Sequence, residues 1–111
     1  MKRITRDELK GYLDNGANVT LVEALPEMYW RKSHIPGALQ MDFTEVDDKA
    51  ASLLPNKDDK IVVYCASTEC QNSKKAARAL ESLGYSEIHE YVEGKQDWEK
   101  AGYPLTSENG N

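Results

Sequence analysis

The chain predicts an α/β domain in which a mostly parallel sheet is covered by helices on both faces. Three observations lead there. Short apolar runs rich in β-branched residues alternate with segments of helical periodicity, and turn residues separate nearly every unit. The length, 111 residues at 40% apolar composition, suits one hydrophobic core and leaves no room for a second.

Thr5 ahead of Asp7 and Glu8 reads as a helix cap with an acidic first turn, and Leu9, Tyr12 and Leu13 then share one helical face. Asn15-Gly16 ends that helix. The run Val19-Thr20-Leu21-Val22 predicts a buried strand, closed off by Pro26. Residues 27–32 predict a short helical turn, Pro36-Gly37 a tight bend, and Ala38-Leu39-Gln40-Met41 a second strand. Residues 43–54 carry a weak helical pattern, followed by the polar turn Pro55-Asn56-Lys57-Asp58-Asp59.

Lys60-Ile61-Val62-Val63-Tyr64 is the strongest strand signal, with Cys65 at its carboxyl end. A loop over 66–71 leads to a helix capped by Asn72 or Ser73, whose Ala76, Ala77, Leu80 and Leu83 lie on one face and whose stop is Gly84. The last unit is a strand over 88–91, a turn at Gly94, a short helix over 96–101, and its end at Gly102-Tyr103-Pro104. These units define a single domain over 1–106, and the polar tail 107–111 is expected to be disordered.

The formal charge is −5, without a basic cluster, which argues against nucleic acid or an anionic membrane as partner. No stretch approaches the ~20 apolar residues of a membrane span, so the expected location is the cytoplasm. Two cysteines are too few for a disulfide framework. With only His34 and His89 beside them, they match no familiar zinc spacing, and neither a metal nor a cofactor is expected.

In an α/β sheet, ligands gather at the carboxyl ends of strands, where Cys65 stands. Between a strand end and a helix start, backbone N–H groups and the helix dipole favour a thiolate, and the thiolate is the nucleophile. The same position also suits an inert core thiol, because free cysteine is often buried. Cys70 lies in the same loop and is placed either to resolve an oxidised or persulfidated Cys65 into a disulfide or to be an incidental thiol.

Several segments match one pattern in order: Ile4-Thr5 with Glu8-Leu9, Leu21-Val22-Glu23, His34-Ile35-Pro36-Gly37-Ala38, Val62-Val63-Tyr64-Cys65, Ser73 with Ala76-Ala77 and Leu80, Leu83-Gly84-Tyr85, Glu93-Gly94 with Trp98, and Ala101-Gly102-Tyr103-Pro104. Over nearly the whole chain this resembles the rhodanese-like domain family. The resemblance implies a three-layer sandwich around a five-stranded sheet. It also implies that Cys65 is the catalytic position, carrying sulfur as a persulfide from a small donor to a thiol acceptor or an acceptor protein. The active-site loop is then Ala66, Ser67, Thr68, Glu69, Cys70, Gln71 and Asn72, closed by Ser73.

Departures from the family pattern fall on this loop. It is longer than in active sulfurtransferases of the family, lacks the basic residue that usually closes it, and carries Glu69 where an anionic donor approaches, so thiosulfate is expected to be a poor substrate. Glu23 and Leu25 stand where Asp and Arg are common, and Glu93 replaces a glycine. Phosphatases and arsenate reductases of this fold hold their oxyanion with an arginine fork, and no Arg occurs between Cys65 and Arg78. The rival to sulfur chemistry is a binding module that presents the Cys65 loop or the Met28-Tyr29-Trp30 cluster to a partner, although that cluster is expected to complete the core. His34 and Trp98 read as structural, Lys74 and Lys75 as surface or steering charges, and Lys95 and Gln96 carry no signal.

Overall fold

A computed structural model describes residues 1–108. Five strands, β1 (Lys2–Arg3), β2 (Val19–Glu23), β3 (Leu39–Gln40), β4 (Lys60–Tyr64) and β5 (Glu87–Tyr91), form one sheet in the order β1-β5-β4-β2-β3, and every pairing is parallel. Helices α1 (Arg6–Asp14), α2 (Glu27–Lys32), α3 (Val46–Leu53), α4 (Asn72–Ser82) and α5 (Gly94–Lys100) connect and cover them.

The central strand dictates the layering. Side chains alternate along β4, so Ile61 and Val63 enter one core with Ala50, Ala76, Ala77, Leu80 and Ile88 beneath α3 and α4. Val62 and Tyr64 enter the other, with Leu9, Ile35, Tyr91 and Trp98 beneath α1 and α5. These four of the five β4 residues are fully buried, as a doubly covered parallel strand requires. The three-layer α/β sandwich is therefore the one the sequence predicts.

Local signals act as read at α1, where Thr5 and Glu8 form a reciprocal capping box, and at Gly84, whose φ of 98° lets the chain leave α4. Several boundaries differ. The second predicted strand shortens to Leu39–Gln40, the weak helix over 43–54 divides into a 3-10 turn (Phe43–Glu45) and α3, and α5 starts at Gly94 rather than at Gln96. β1 has no counterpart in the residue reading, because two exposed basic residues carry no strand pattern; pairing with β5 alone makes them a strand. No helix among the described residues is long and apolar enough to cross a membrane. Of the tail expected to be disordered, Glu108 donates its amide to the Arg31 carbonyl at 2.9 Å, and 109–111 lie outside the described residues.

Candidate functional site around Cys65

Cys65 follows β4 directly, at the carboxyl end of the sheet, and is fully buried. Its backbone is held from the α5 side, where Lys95 N–H donates to the Cys65 carbonyl at 2.8 Å and Gln96 N–H to that of Ala66 at 2.9 Å. Gly94 permits this approach. A Cβ at that residue, whose φ is +74°, would lie 2.6 Å from the Cys65 carbonyl oxygen.

The Cys65 sulfur is paired with that of Cys70 in a disulfide, with the Cα atoms 6.4 Å apart. The long loop thus turns back on itself, helped by the Cys70 amide donating to the Ser67 carbonyl at 3.1 Å. Cys65 Sγ also lies 3.3 Å from Ser73 Oγ and 3.5 Å from the Cys70 carbonyl oxygen. Ser73, buried in the first turn of α4, donates its hydroxyl to Glu90 Oε2 at 2.7 Å. Helix α4 begins one residue before Ser73, with Gln71 as a cap that makes no side-chain bond, and Lys75 N–H to the Gln71 carbonyl is its opening backbone bond. The amides of its first turn therefore have no acceptor within the helix and lie on the loop side.

Beside the disulfide is a cavity of about 320 Å³, walled by Arg3, Thr68, Cys70, Gln71, Lys74 and Glu90 among others. Glu69, expected to face an approaching donor, is exposed and outside that wall. Arg3 and Glu90 had no place in the sequence reading. Glu90 was findable: it follows Ile88 by two residues on a buried strand, so it shares the inward face under α4. Arg3 was not, because the β1–β5 pairing that aligns it with Glu90 is a long-range contact.

A second buried polar group braces the site from the other side of the sheet. Glu23, at the end of β2, accepts from Tyr64 Oη at 2.8 Å and pairs with Lys95 Nζ at 3.1 Å, and Lys95 Nζ also donates to the Ser33 carbonyl at 2.7 Å. Burial pushes the Glu23 carboxyl above the usual carboxylate range, against the opposing pull of Tyr64 and Lys95. Burial, reinforced by Glu23, likewise raises the Tyr64 phenol well above its ordinary value. Lys95, silent in the sequence, therefore ties α5, α2 and β2 together one residue from Gly94.

The remaining sequence candidates separate. His34 is buried, stacks on Trp30 at 4.2 Å, and bonds through Nδ1 to the Trp30 carbonyl oxygen at 2.7 Å. Trp98 is buried and donates to the Pro104 carbonyl at 2.8 Å. Of the apolar cluster expected in the core, only Trp30 is half-buried; Met28 and Tyr29 are exposed at 62% and 47%. A six-residue helix cannot turn all three toward the sheet.

A family model of the rhodanese-like domain matches residues 5–101. Among curated proteins, the chain is 34% identical over 102 residues to the HTH-type transcriptional regulator Rv0324 of Mycobacterium tuberculosis, covering 92% of this chain and 43% of that one. It is 27% identical to the putative sulfur carrier protein YrkF of Bacillus subtilis, covering 86% and 49%, and 31% identical to the thiosulfate sulfurtransferase PspE of Escherichia coli, covering 58% and 59%. The chain spans about half the length of these relatives. Among solved structures, the rhodanese-like domain of the Anabaena protein Alr3790 superimposes with a TM-score of 0.85 at 28% identity, covering 100% of this chain and 84% of that one. The chain belongs to the rhodanese-like domain family, and its homologues include a sulfur carrier and a sulfurtransferase.

Proposed function

We propose that Cys65 accepts sulfur as a persulfide and that Cys70 resolves it, which makes the chain a sulfur carrier or sulfurtransferase coupled to thiol redox chemistry. The observation that carries this reading is the pairing of a strand-end cysteine at the start of α4 with a second cysteine of the same loop. The Cys65 thiolate attacks the outer sulfur of a persulfide or polysulfide donor, the S–S bond of the donor breaks, and the donor thiolate leaves. First-turn amides of α4 and its dipole favour the thiolate and the persulfide anion. The Cys70 thiolate then attacks Cys65 Sγ, a disulfide forms, and hydrosulfide is expelled; an acceptor thiolate that attacks the outer sulfur instead takes it as its own persulfide, and the Cys65 thiolate leaves. Thiosulfate is a poorer donor than a persulfide in this scheme, because no arginine stands in the loop to hold its charged end.

Sulfide release tests it. Reduced protein treated with a small persulfide loses both thiols and releases hydrosulfide, while Cys70→Ser keeps the sulfur and releases little. A Cys65→Ser chain that behaves like the unsubstituted one would refute the assignment. The exposure of Met28 and Tyr29 on α2 favours a second reading, a binding module whose partner docks there. Under that reading, Cys65→Ser leaves partner affinity unchanged and Tyr29→Ala weakens it.

A further inference from the structure

Cys65 and Cys70 differ in what can reach them. Cys65 is fully buried, whereas Cys70 is partly exposed and walls the cavity of about 320 Å³. Thiol–disulfide exchange requires the incoming sulfur to reach the one it attacks. In the paired state Cys70 is therefore the accessible sulfur and Cys65 the one that leaves. A thiolate expelled into a buried site is costly unless a proton or a hydrogen bond meets it.

One run of close polar contacts leads from that buried site to the cavity. Ser73 Oγ lies 3.3 Å from Cys65 Sγ and bonds Glu90 Oε2 at 2.7 Å, and Glu90, only 6% exposed, is itself part of the cavity wall. We infer that Glu90, acting through Ser73, moves the proton between a small thiol bound in the cavity and the Cys65 sulfur, so that the disulfide is reduced by attack at Cys70. The inference rests on the disulfide reading given above.

In this step, an incoming R–SH gives its proton to the Glu90 carboxylate as its sulfur attacks Cys70 Sγ. The R–S–Cys70 bond forms, and the bond between the two cysteine sulfurs breaks with its electron pair on Cys65. Ser73 passes its hydroxyl proton to Cys65 and takes one from Glu90. The products are a mixed disulfide on Cys70, a Cys65 thiol and a Glu90 carboxylate again, so protons and electrons balance without a further reagent. Among the charged groups around the path are Arg3 of β1, bonded to Glu93 at 2.6 Å, and Lys74 of α4. Both are cations in the cavity wall, which suits a thiol that carries carboxylates.

The full chain, oxidised and then treated with glutathione as the probe, tests this. Acid quenching followed by cleavage after Glu69 separates the two cysteines, and the mixed disulfide is expected predominantly on Cys70. Glu90→Gln and Ser73→Ala should each slow reduction by about 10²-fold, the usual contribution of a positioned acid–base group. The double variant should be no slower than the worse single, and Ser73→Thr, which keeps the hydroxyl, should recover most of the rate. A merely structural role for the pair would show the same coupling in stability and leave the solvent deuterium isotope effect on the reduction rate unchanged, whereas loss of the proton path should change it. An adduct on Cys65, or a Glu90→Gln chain reduced as fast as the unsubstituted one, overturns the inference while leaving the disulfide reading intact. A chain in which a mild thiol oxidant forms no Cys65–Cys70 bond overturns that reading and the inference with it.

Discussion

Replacing Gly94 with alanine isolates how α5 positions the cysteine loop. The residue sits at φ +74°, and an added Cβ would meet the Cys65 carbonyl oxygen at 2.6 Å, the Ser67 amide nitrogen at 2.9 Å and the Ala66 carbonyl carbon at 3.0 Å. All three are backbone atoms, so relief requires moving the loop. The left-handed conformation costs about 1–2 kcal/mol for a residue with a Cβ. Overpacking against unyielding neighbours adds about 1–3 kcal/mol. The expected loss is therefore about 2–5 kcal/mol. Gly37 is the matched control, since its φ is +88° but nothing lies within 4 Å of its Cβ position. Gly37→Ala should show the conformational part alone, about 1–2 kcal/mol. Urea denaturation at unchanged slope reads both losses. Because Lys95 N–H and Gln96 N–H hold the loop carbonyls, Gly94→Ala should also change the alkylation rate of Cys65 in the reduced protein, and Gly37→Ala should not. Equal losses for the two variants would refute the claim that α5 fixes the loop by close contact.

Three further outcomes follow from the buried groups. Lys95→Met leaves Glu23 buried without its cation and should cost about 3–5 kcal/mol at neutral pH, read by urea denaturation; a loss under about 1 kcal/mol, the range of a surface pair, would contradict it. Because the folded Glu23 carboxyl lies above its unfolded value, the folded chain holds that proton longer. Its contribution is full below the unfolded value and is lost as pH rises through the folded one. Denaturation of Glu23→Gln and the unsubstituted chain between acid and neutral pH should therefore show the difference moving in favour of the glutamine variant as pH rises, and the opposite slope would contradict the sign. Trp98→Ala, which removes a fully buried indole and its bond to Pro104, should cost about 3–5 kcal/mol in the same assay.

What the sequence disclosed depended on whether the signal was local. β4 and α2 fall on the residues that their patterns predict, and α1 within one residue, because apolar runs, caps and turn residues act over a few positions. The position of Cys65 at a strand end was readable for the same reason. β1 was not, since Lys2 and Arg3 become a strand only through β5. The inward face of Glu90 is legible from the alternation along β5, but its role and that of Lys95 are not: each acts through a partner brought in by sheet register or helix docking, Ser73 in one case and Glu23 in the other. α5 starts two residues earlier than its pattern predicts because Gly94, which carries a turn signal, is the contact point between that helix and the Cys65 backbone.

The most direct test of sulfur handling at Cys65 is intact-mass measurement of Cys70→Ser after exposure to thiosulfate, polysulfide and a small persulfide across a range of pH. The account predicts a gain of one sulfur atom from the persulfide and polysulfide donors. It should be removable by added thiol, absent from the Cys65→Ser/Cys70→Ser chain, and have a midpoint below the ~8.5 of a free cysteine thiol. No adduct from any donor, or an adduct that survives the loss of Cys65, would contradict it.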